Sequence, residues 1–365
     1  MDPVYLDHNA TTPMRPSAIA AVAAASGMAG NASSVHAWGR RARALVEDAR
    51  EAVAALVGAK SDWVVFTAGG TEANNLALRG PDVSAVAASA VEHPSVMKAR
   101  NDIAAIAVDA DGVVSLDAIP HAGLVSIMLA NNETGVVQPM ARAAEIAKAS
   151  DVVVHCDAVQ AAGRMAIDMK ALGVDLLSLS AHKIGGPQGV GALIVRPGVR
   201  LESVQRGGGQ ERGVRAGTEN VAGIAGFGAA ATEASADLSR MQTLVHLRDK
   251  LEAAIRIAAP NVRIFGNAVE RLANTSCIAM PGVTADSQLM VFDLAGIMVS
   301  SGSACSSGKV AKSHVLAAMG VADDVAETAI RVSLGWNTTE TDIDRFVASW
   351  TAVYRRTQTN VRKVA

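Results

Sequence analysis

Between about residues 62 and 196, short apolar runs rich in β-branched residues alternate with longer stretches of helical periodicity. Such alternation is the pattern of a mostly parallel sheet covered on both faces by helices. The runs predicted as strands are WVVF (63–66), VSAVAA (83–88), LVSIML (124–129), VVVHC (152–156), VDLLSLS (174–180) and GALIV (191–195). The first five lead into AGGTEANN, SAVEHP, ANNETG, DAVQ and AHK, all polar or glycine-bearing. The carboxyl ends of parallel strands share one edge, so these segments are expected to meet there and form a ligand site.

A different texture follows. Met241, Leu244, Leu247, Leu251 and Ile255 stand at helical spacing and predict one or two long helices over 229–258. VRIF, TSCIAM, IMVSS and AIRVSL then read as short strands, with a helix over 286–294 and a last helix capped by Thr338 or Thr339. These elements predict a second, α+β domain. The alanine-rich run 18–29 follows Pro13 and Pro16 and is expected to be a packed helix, not a membrane span. The terminal QTNVRKVA is expected to be a frayed, solvated end.

Composition narrows the setting. A chain of 365 residues suggests about two domains, and 33 basic against 35 acidic residues give no electrostatic reason for a nucleic-acid or membrane partner. Aromatics make up only 3%, which leaves no stacking platform for bases. Cys156, Cys277 and Cys305 form neither a disulfide framework nor a metal-binding spacing, so a cytoplasmic location is expected. The start MDPVYLDHNATT lacks the basic and apolar regions of a signal peptide, and the mature chain is expected to begin there. Cys156 and Cys277 lie in apolar strand patterns and are expected to be core thiols.

Several residues carry possible chemistry. Lys183 follows a strand expected to be buried on both faces, where an ammonium is costly unless paired or used; a Schiff-base lysine and a lysine that snorkels outward both fit this segment. Asp157 ends VVVHC and can face the same edge. Pyridoxal phosphate chemistry calls for such a pair, because the lysine bonds the cofactor while the carboxylate keeps the pyridine nitrogen protonated. In TAGGTEANN, Gly69 and Gly70 allow close backbone approach and Thr71 opens a helix whose free N–H groups attract an anion; an ordinary capped surface helix is the alternative. The segment is neither a Walker loop nor a full dinucleotide fingerprint. His93, held extended by the following Pro94, can lie on a flat ring or serve the structure alone. SSGSACSSGK (300–309) places Cys305 among small polar residues, either as a reactive thiol or as an incidental loop cysteine.

Read in order, YLDHNATTP, TAGGTEANN, EHPSV, NNETGVVQP, HCDAVQAAGR, LSLSAHKIGGPQGVGAL, GGGQERGVRAGTEN, SGSACSSGK and AIRVSLG resemble the cysteine desulfurases of the NifS/IscS type over nearly the full length. These are fold-type I pyridoxal 5'-phosphate enzymes related to class V aminotransferases. The resemblance implies a large α/β cofactor-binding domain, residues 15–255, with a mostly parallel seven-stranded sheet covered by helices. It further implies a smaller α+β domain, residues 1–14 and 256–365, that carries the cysteine loop. By position, Lys183 would bond the cofactor, Asp157 would pair with its ring nitrogen, Gln160 would bind its ring hydroxyl and His93 would stack on the ring and carry a proton. Gly70, Thr71, Ser180 and His182 would hold the phosphate, with Thr218 reaching the phosphate of a second subunit, which makes a homodimer the expected assembly. Asn132 would contact cofactor and substrate, Arg331 would bind the substrate carboxylate, and Cys305 would take the sulfur of L-cysteine as a persulfide, leaving L-alanine. A sulfur-acceptor protein, an iron–sulfur scaffold or another carrier, is the implied partner.

Two features depart from the housekeeping pattern. The chain ends soon after the helix predicted over 342–354, where housekeeping members continue into a scaffold-docking tail, and Trp336-Asn337 stands where relatives place a basic and then an aromatic residue. Among alternatives, a class V aminotransferase would have no need for Cys305, a selenocysteine lyase would be indifferent to L-cysteine, and a non-enzymatic sulfur carrier would hold no cofactor.

Overall fold

The computed structural model describes residues 3–302 and 312–364. Its strands are β1 (Val4–Tyr5), β2 (Val64–Thr67), β3 (Val86–Ser89), β4 (Ile103–Ile106), β5 (Leu124–Ser126), β6 (Val153–Asp157), β7 (Leu176–Ser180), β8 (Gly191–Val195), β9 (Arg263–Phe265), β10 (Thr275–Ala279), β11 (Ile297–Met298) and β12 (Ala329–Ser333). The main helices are α1 (Pro16–Ser26), α2 (Ala37–Leu56), α3 (Gly70–Arg79) and α4 (Pro94–Met97). After them come α5 (Met140–Lys148), α6 (Met169–Leu172), α7 (Val221–Ala236), α8 (Met241–Ala258), α9 (Ala285–Leu294), α10 (His314–Ala318), α11 (Asp323–Ala326) and α12 (Glu340–Val364).

Seven strands form one sheet in the order β2-β8-β7-β6-β5-β3-β4. All run parallel except β8, which is antiparallel to both neighbours. Reversing β8 brings its first residue, Gly191, beside Thr67 and Ser180, the last residues of β2 and β7. The carboxyl ends of β2, β3, β5, β6 and β7 therefore lie along one edge, as the sequence pattern predicts. Strands β2, β3, β5 and β7 are buried throughout, which accounts for their near-continuous apolar runs. The polar exceptions satisfy one another. Buried His155 on β6 bonds Ser126 Oγ on β5 through Nδ1 (2.8 Å) and Ser178 Oγ on β7 through Nε2 (2.9 Å). Burial pushes its pKa down to about 3, so the ring stays neutral inside the sheet.

Beyond α7 and α8 the chain builds an antiparallel sheet, β12-β10-β9, and returns to its own start through the parallel pair β1-β11. Val4 and Leu6 share a core with Leu251, Ile255, Phe292, Phe346 and Trp350 from α8, α9 and α12. Beyond β1, the backbone N–H of His8 donates to Ser333 O on β12 (3.2 Å), so the segment after β1 is led to the main sheet's ligand edge.

The strand predictions shift at several places. Trp63 belongs to a 3-10 turn and β2 starts one residue later, while β3 starts at Val86 because residues 83–85 approach the sheet as coil. The strand foreseen over 124–129 stops at Ser126. Strand β4 was not foreseen, and the expected frayed end is instead helical to Val364. Cys156 and Cys277 are buried as expected, and burial pushes both thiols well above their ordinary pKa.

Candidate active site

The loop from β2 to α3 lies against the first residue of β8. A Cβ on Gly191 would sit 2.6 Å from the Gly69 carbonyl carbon, so only glycine lets the loop pack there. Gly69 has φ +153°, and a side chain on Gly70 would meet Val159 Cγ2 at 2.9 Å and Ser180 Cβ at 3.4 Å. The space over Gly70 is thus bounded by the ends of β6 and β7. The first turn of α3 points amides that have no intrahelical acceptor toward it. Thr71 is exposed on that turn, and Glu72 holds the loop by accepting from Ala68 N (2.7 Å).

Asp157, buried at the end of β6, accepts from Val159 N (3.0 Å) and from Asn74 Nδ2 on α3 (2.7 Å). His93 caps α4, its Nδ1 accepting from Ser95 N (3.1 Å) and lying 2.8 Å from Ser95 Oγ. Burial lowers the His93 pKa, and the charges of Asp157, Lys183 and His314 all act on it. Three residues from separate strand ends thereby share one electrostatic neighbourhood.

Lys183 sits on the 3-10 turn Ala181–Lys183 after β7 and is half-buried. Its Nζ donates to the carbonyls of Asn9 (2.5 Å) and Ala10 (2.7 Å), and among the described residues no carboxylate is in direct contact with it. Burial pushes its pKa down to about 7, helped by the positive charges of Arg331 and Arg164 and opposed by Asp7 and Asp157. An amine near neutrality is largely free to act as nucleophile or base.

Around that amine the side chains interlock. Gln160 Nε2 donates to Asn9 O (3.0 Å), and Gln160 Oε1 accepts from buried Arg164, which also reaches the backbone oxygens of Gln160, His8 and Lys183. His182 Nδ1 lies 3.1 Å from Thr11 Oγ1, and burial with the Lys183 and Arg164 charges lowers its pKa to about 4. Arg331 on β12 is buried, donating to Asn132 O (3.0 Å) and to Asp7 Oδ1 (2.8 Å). Arg331 Nε and Asn132 Oδ1 are buried with no partner among the described residues. Such orphaned polar atoms suit a polar guest.

Of the residues singled out from the sequence, Gly70, Ser180, Asp157, Gln160, His93, His182, Lys183, Asn132 and Arg331 all stand along this edge. Thr218 is exposed in the loop after Gly217. That loop is anchored nearby: buried Glu211 accepts from the two terminal nitrogens of Arg50 (2.8 and 3.0 Å) and from Phe66 N (2.9 Å), and Arg215 pairs with Glu72 (2.8 Å). Cys305 lies outside the described residues. Sequence reasoning missed Asn9 and Ala10 as acceptors for Lys183, Arg164 behind it, and Asn74 and Ser95 behind Asp157 and His93; the only signal was their membership in otherwise polar motifs.

The pattern of side chains fits pyridoxal 5'-phosphate. A glycine cradle with helix amides, a carboxylate, a flat imidazole and a low-pKa lysine are the donor set that cofactor requires. The family model described as aminotransferase class-V matches residues 4–346. The chain belongs to the aminotransferase class-V family. Within it, similar proteins include a cysteine desulfurase of Sinorhizobium fredii, 42% identical over 98% of this chain and 97% of that protein. An IscS-like cysteine desulfurase of Mycobacterium tuberculosis is 40% identical over 93% of each. A solved NifS-like protein from Rickettsia africae superposes with TM-score 0.89 at 38% identity, covering 97% of this chain and 99% of that one. Like the class-V family as a whole, the chain is a pyridoxal-phosphate-dependent enzyme, and its relatives place it with the cysteine desulfurases of the NifS/IscS type.

Proposed function

We propose that this enzyme converts L-cysteine to L-alanine at the edge described above and lodges the sulfur on Cys305 as a persulfide. The observation that carries the reading is the half-buried amine of Lys183, donating to the carbonyls of Asn9 and Ala10 and pushed down to about 7 first by burial and then by the charges of Arg331 and Arg164. When bound, the cofactor supplies an electron sink for charge left at the substrate α-carbon. Gly70, Thr71, Ser180 and His182 would hold its phosphate, Asp157 would pair with its ring nitrogen, Gln160 would bind its ring hydroxyl, and His93 would lie against the ring. Arg331, whose Nη1 and Nη2 bond Asn132 O and Asp7 Oδ1, offers its Nε, unpartnered among the described residues, to the substrate carboxylate, with Asn132 beside it. Lys183 Nζ takes the proton from the α-carbon and can return one. The Cys305 thiolate attacks the substrate sulfur: an S–S bond forms, the S–C bond breaks, and the electron pair of that bond stays with the carbon fragment, whose β-carbon takes up one proton, replacing the one lost when the Cys305 thiol ionised, before it leaves as alanine.

The proposed division into a domain of residues 15–255 and one of residues 1–14 and 256–365 is supported by separate apolar cores around the seven-stranded and the three-stranded sheets, while Leu244, Leu247, Leu251 and Ile255 of α8, counted with the first domain, pack in the second core. Thr218 completes the phosphate site of a second copy, making the working unit a homodimer. The persulfide passes to an acceptor protein in the cytoplasm that supplies iron–sulfur cluster or thio-cofactor synthesis. Among the described residues no helix is long and apolar enough to cross a membrane. Incubation with L-cysteine and a thiol reductant is expected to release alanine and sulfide in equal amounts, and both products should vanish in Lys183→Ala and Cys305→Ala. Alanine release that survives Cys305→Ala contradicts the persulfide step.

A further inference from the structure

In sequence, Cys305 lies between two flanks that are tied to the substrate side of the site. On the N-terminal flank, Ser300 and Arg331 exchange two backbone hydrogen bonds, Ser300 N to Arg331 O (3.2 Å) and Arg331 N to Ser300 O (2.6 Å). On the C-terminal flank, Ser313 Oγ accepts from Leu316 N (3.0 Å), which leaves its hydroxyl proton for Glu133 Oε2, 2.5 Å away. Glu133 also meets the other flank: a Cβ on Gly302 would overlap Glu133 Oε2. That carboxylate is 2% exposed, so it can make room only by letting go of Ser313.

The backbone that carries Glu133 has little freedom. Asn131 Oδ1 accepts from Glu133 N (2.8 Å) and Thr134 N (3.0 Å), and Asn131 Nδ2 donates to Val91 O (3.0 Å). Asn132, between them, gives its carbonyl to Arg331 Nη1 (3.0 Å). One buried turn thus holds the side chain of Arg331 through Asn132 and both flanks of the cysteine segment through Glu133. The turn is closed by Asn131, so truncating the Glu133 side chain leaves the bond between Arg331 and Asn132 in place.

We propose that Glu133 is a positioning residue for sulfur transfer, fixing the flanks of the Cys305 segment to the turn that holds Arg331. The attacking thiol and the substrate carboxylate are then referred to the same few residues. Such registration matters because a misplacement of about 1 Å between reacting groups can cost roughly 100-fold in rate. The role is confined to the sulfur step, since holding the carboxylate and removing the α-proton run through Arg331 and Lys183.

The inference rests on the sulfur-transfer reading above, and its test separates the two. Two rates are compared in the holoenzyme: uptake of deuterium from solvent at the α-carbon of L-alanine, which offers the same carboxylate and α-hydrogen without the sulfur, and single-turnover appearance of sulfur on Cys305 from L-cysteine. Glu133→Ala is expected to slow the second about 10- to 100-fold and to leave the first within about twofold of wild type. Glu133→Gln, whose amide oxygen still accepts from Ser313, should recover most of the loss. Gly302→Ala, which drives a methyl group against Glu133 Oε2, should give the same split from the other flank and add nothing to Glu133→Ala. Wild-type sulfur transfer in Glu133→Ala or in Gly302→Ala overturns the proposal, as does a parallel fall of both rates, which marks a general loss of the folded site. Wild-type enzyme that exchanges the α-hydrogen of alanine yet puts no sulfur on Cys305 overturns the proposed function as well, a result none of the variant outcomes produces.

Discussion

Holding a lysine amine near neutrality has an energetic cost that can be read as stability. In the unfolded chain Lys183 titrates near 10.5, and in the folded protein near 7. Between those values the unfolded state binds a proton that the folded state does not, so this group makes stability rise with pH across that window. Below about pH 7 both states are protonated and the full penalty stands; above 10.5 it is gone. The displacement corresponds to about 5 kcal/mol in all, and from pH 7 to pH 9 its relief amounts to about 2 kcal/mol, or about 1–2 kcal/mol once solvent reaching the half-buried amine is allowed for. Lys183→Met keeps the length of the side chain and removes the titration. The lost bonds to Asn9 O and Ala10 O do not vary with pH, so they cancel from the comparison. Urea denaturation of the cofactor-free wild type and variant at pH 7 and pH 9 should show the stability gap closing by that amount at the higher pH. A gap that stays constant would mean an ordinary lysine, and the account of its reactivity would fail.

Other consequences test separate parts of the site. Arg331→Lys removes the planar fork and is expected to raise the KM for L-cysteine roughly 10- to 100-fold, the worth of one or two charge-assisted bonds, while cofactor content stays at the wild-type level; an unchanged KM contradicts the assignment. Gly70→Val fills the space between Val159 and Ser180, so purified protein should lose its cofactor absorbance on gel filtration, and full retention would place the phosphate elsewhere. Arg50→Met strands the buried Glu211 carboxylate and should cost roughly 3–5 kcal/mol of stability, read as a fall in the denaturation midpoint.

Much of the cofactor sheet was legible in the sequence because buried parallel strands write themselves as apolar runs, and the polar segments after β2, β3, β5, β6 and β7 stand out against them. Strand β4 did not, since IAAI carries two alanines and lies at the sheet edge, where burial does not enforce a strong β signature. Strand β11 falls within the predicted IMVSS, but its partner β1 is two residues long and comes from the distant start of the chain, so no local pattern announces their pairing. The same limit hides Arg164 and the Asn9–Ala10 carbonyls: their roles exist only once the segment after β1 has been carried to Lys183. Lys183 and Asp157 were legible as chemistry because a charge at the end of a buried strand is unusual, whereas Asn74 and Ser95 resemble any polar residue near a helix start. The rest of the site depended on the resemblance of whole motifs.

The central claim, sulfur transfer onto one cysteine, is tested most directly by a single turnover. Holoenzyme mixed with one equivalent of L-cysteine, quenched with an alkylating agent and analysed by peptide mass spectrometry should carry the mass of one added sulfur atom on the peptide containing Cys305, matched by one equivalent of alanine. Alanine formed with that sulfur on Cys156 or Cys277, or on no cysteine at all, would contradict it.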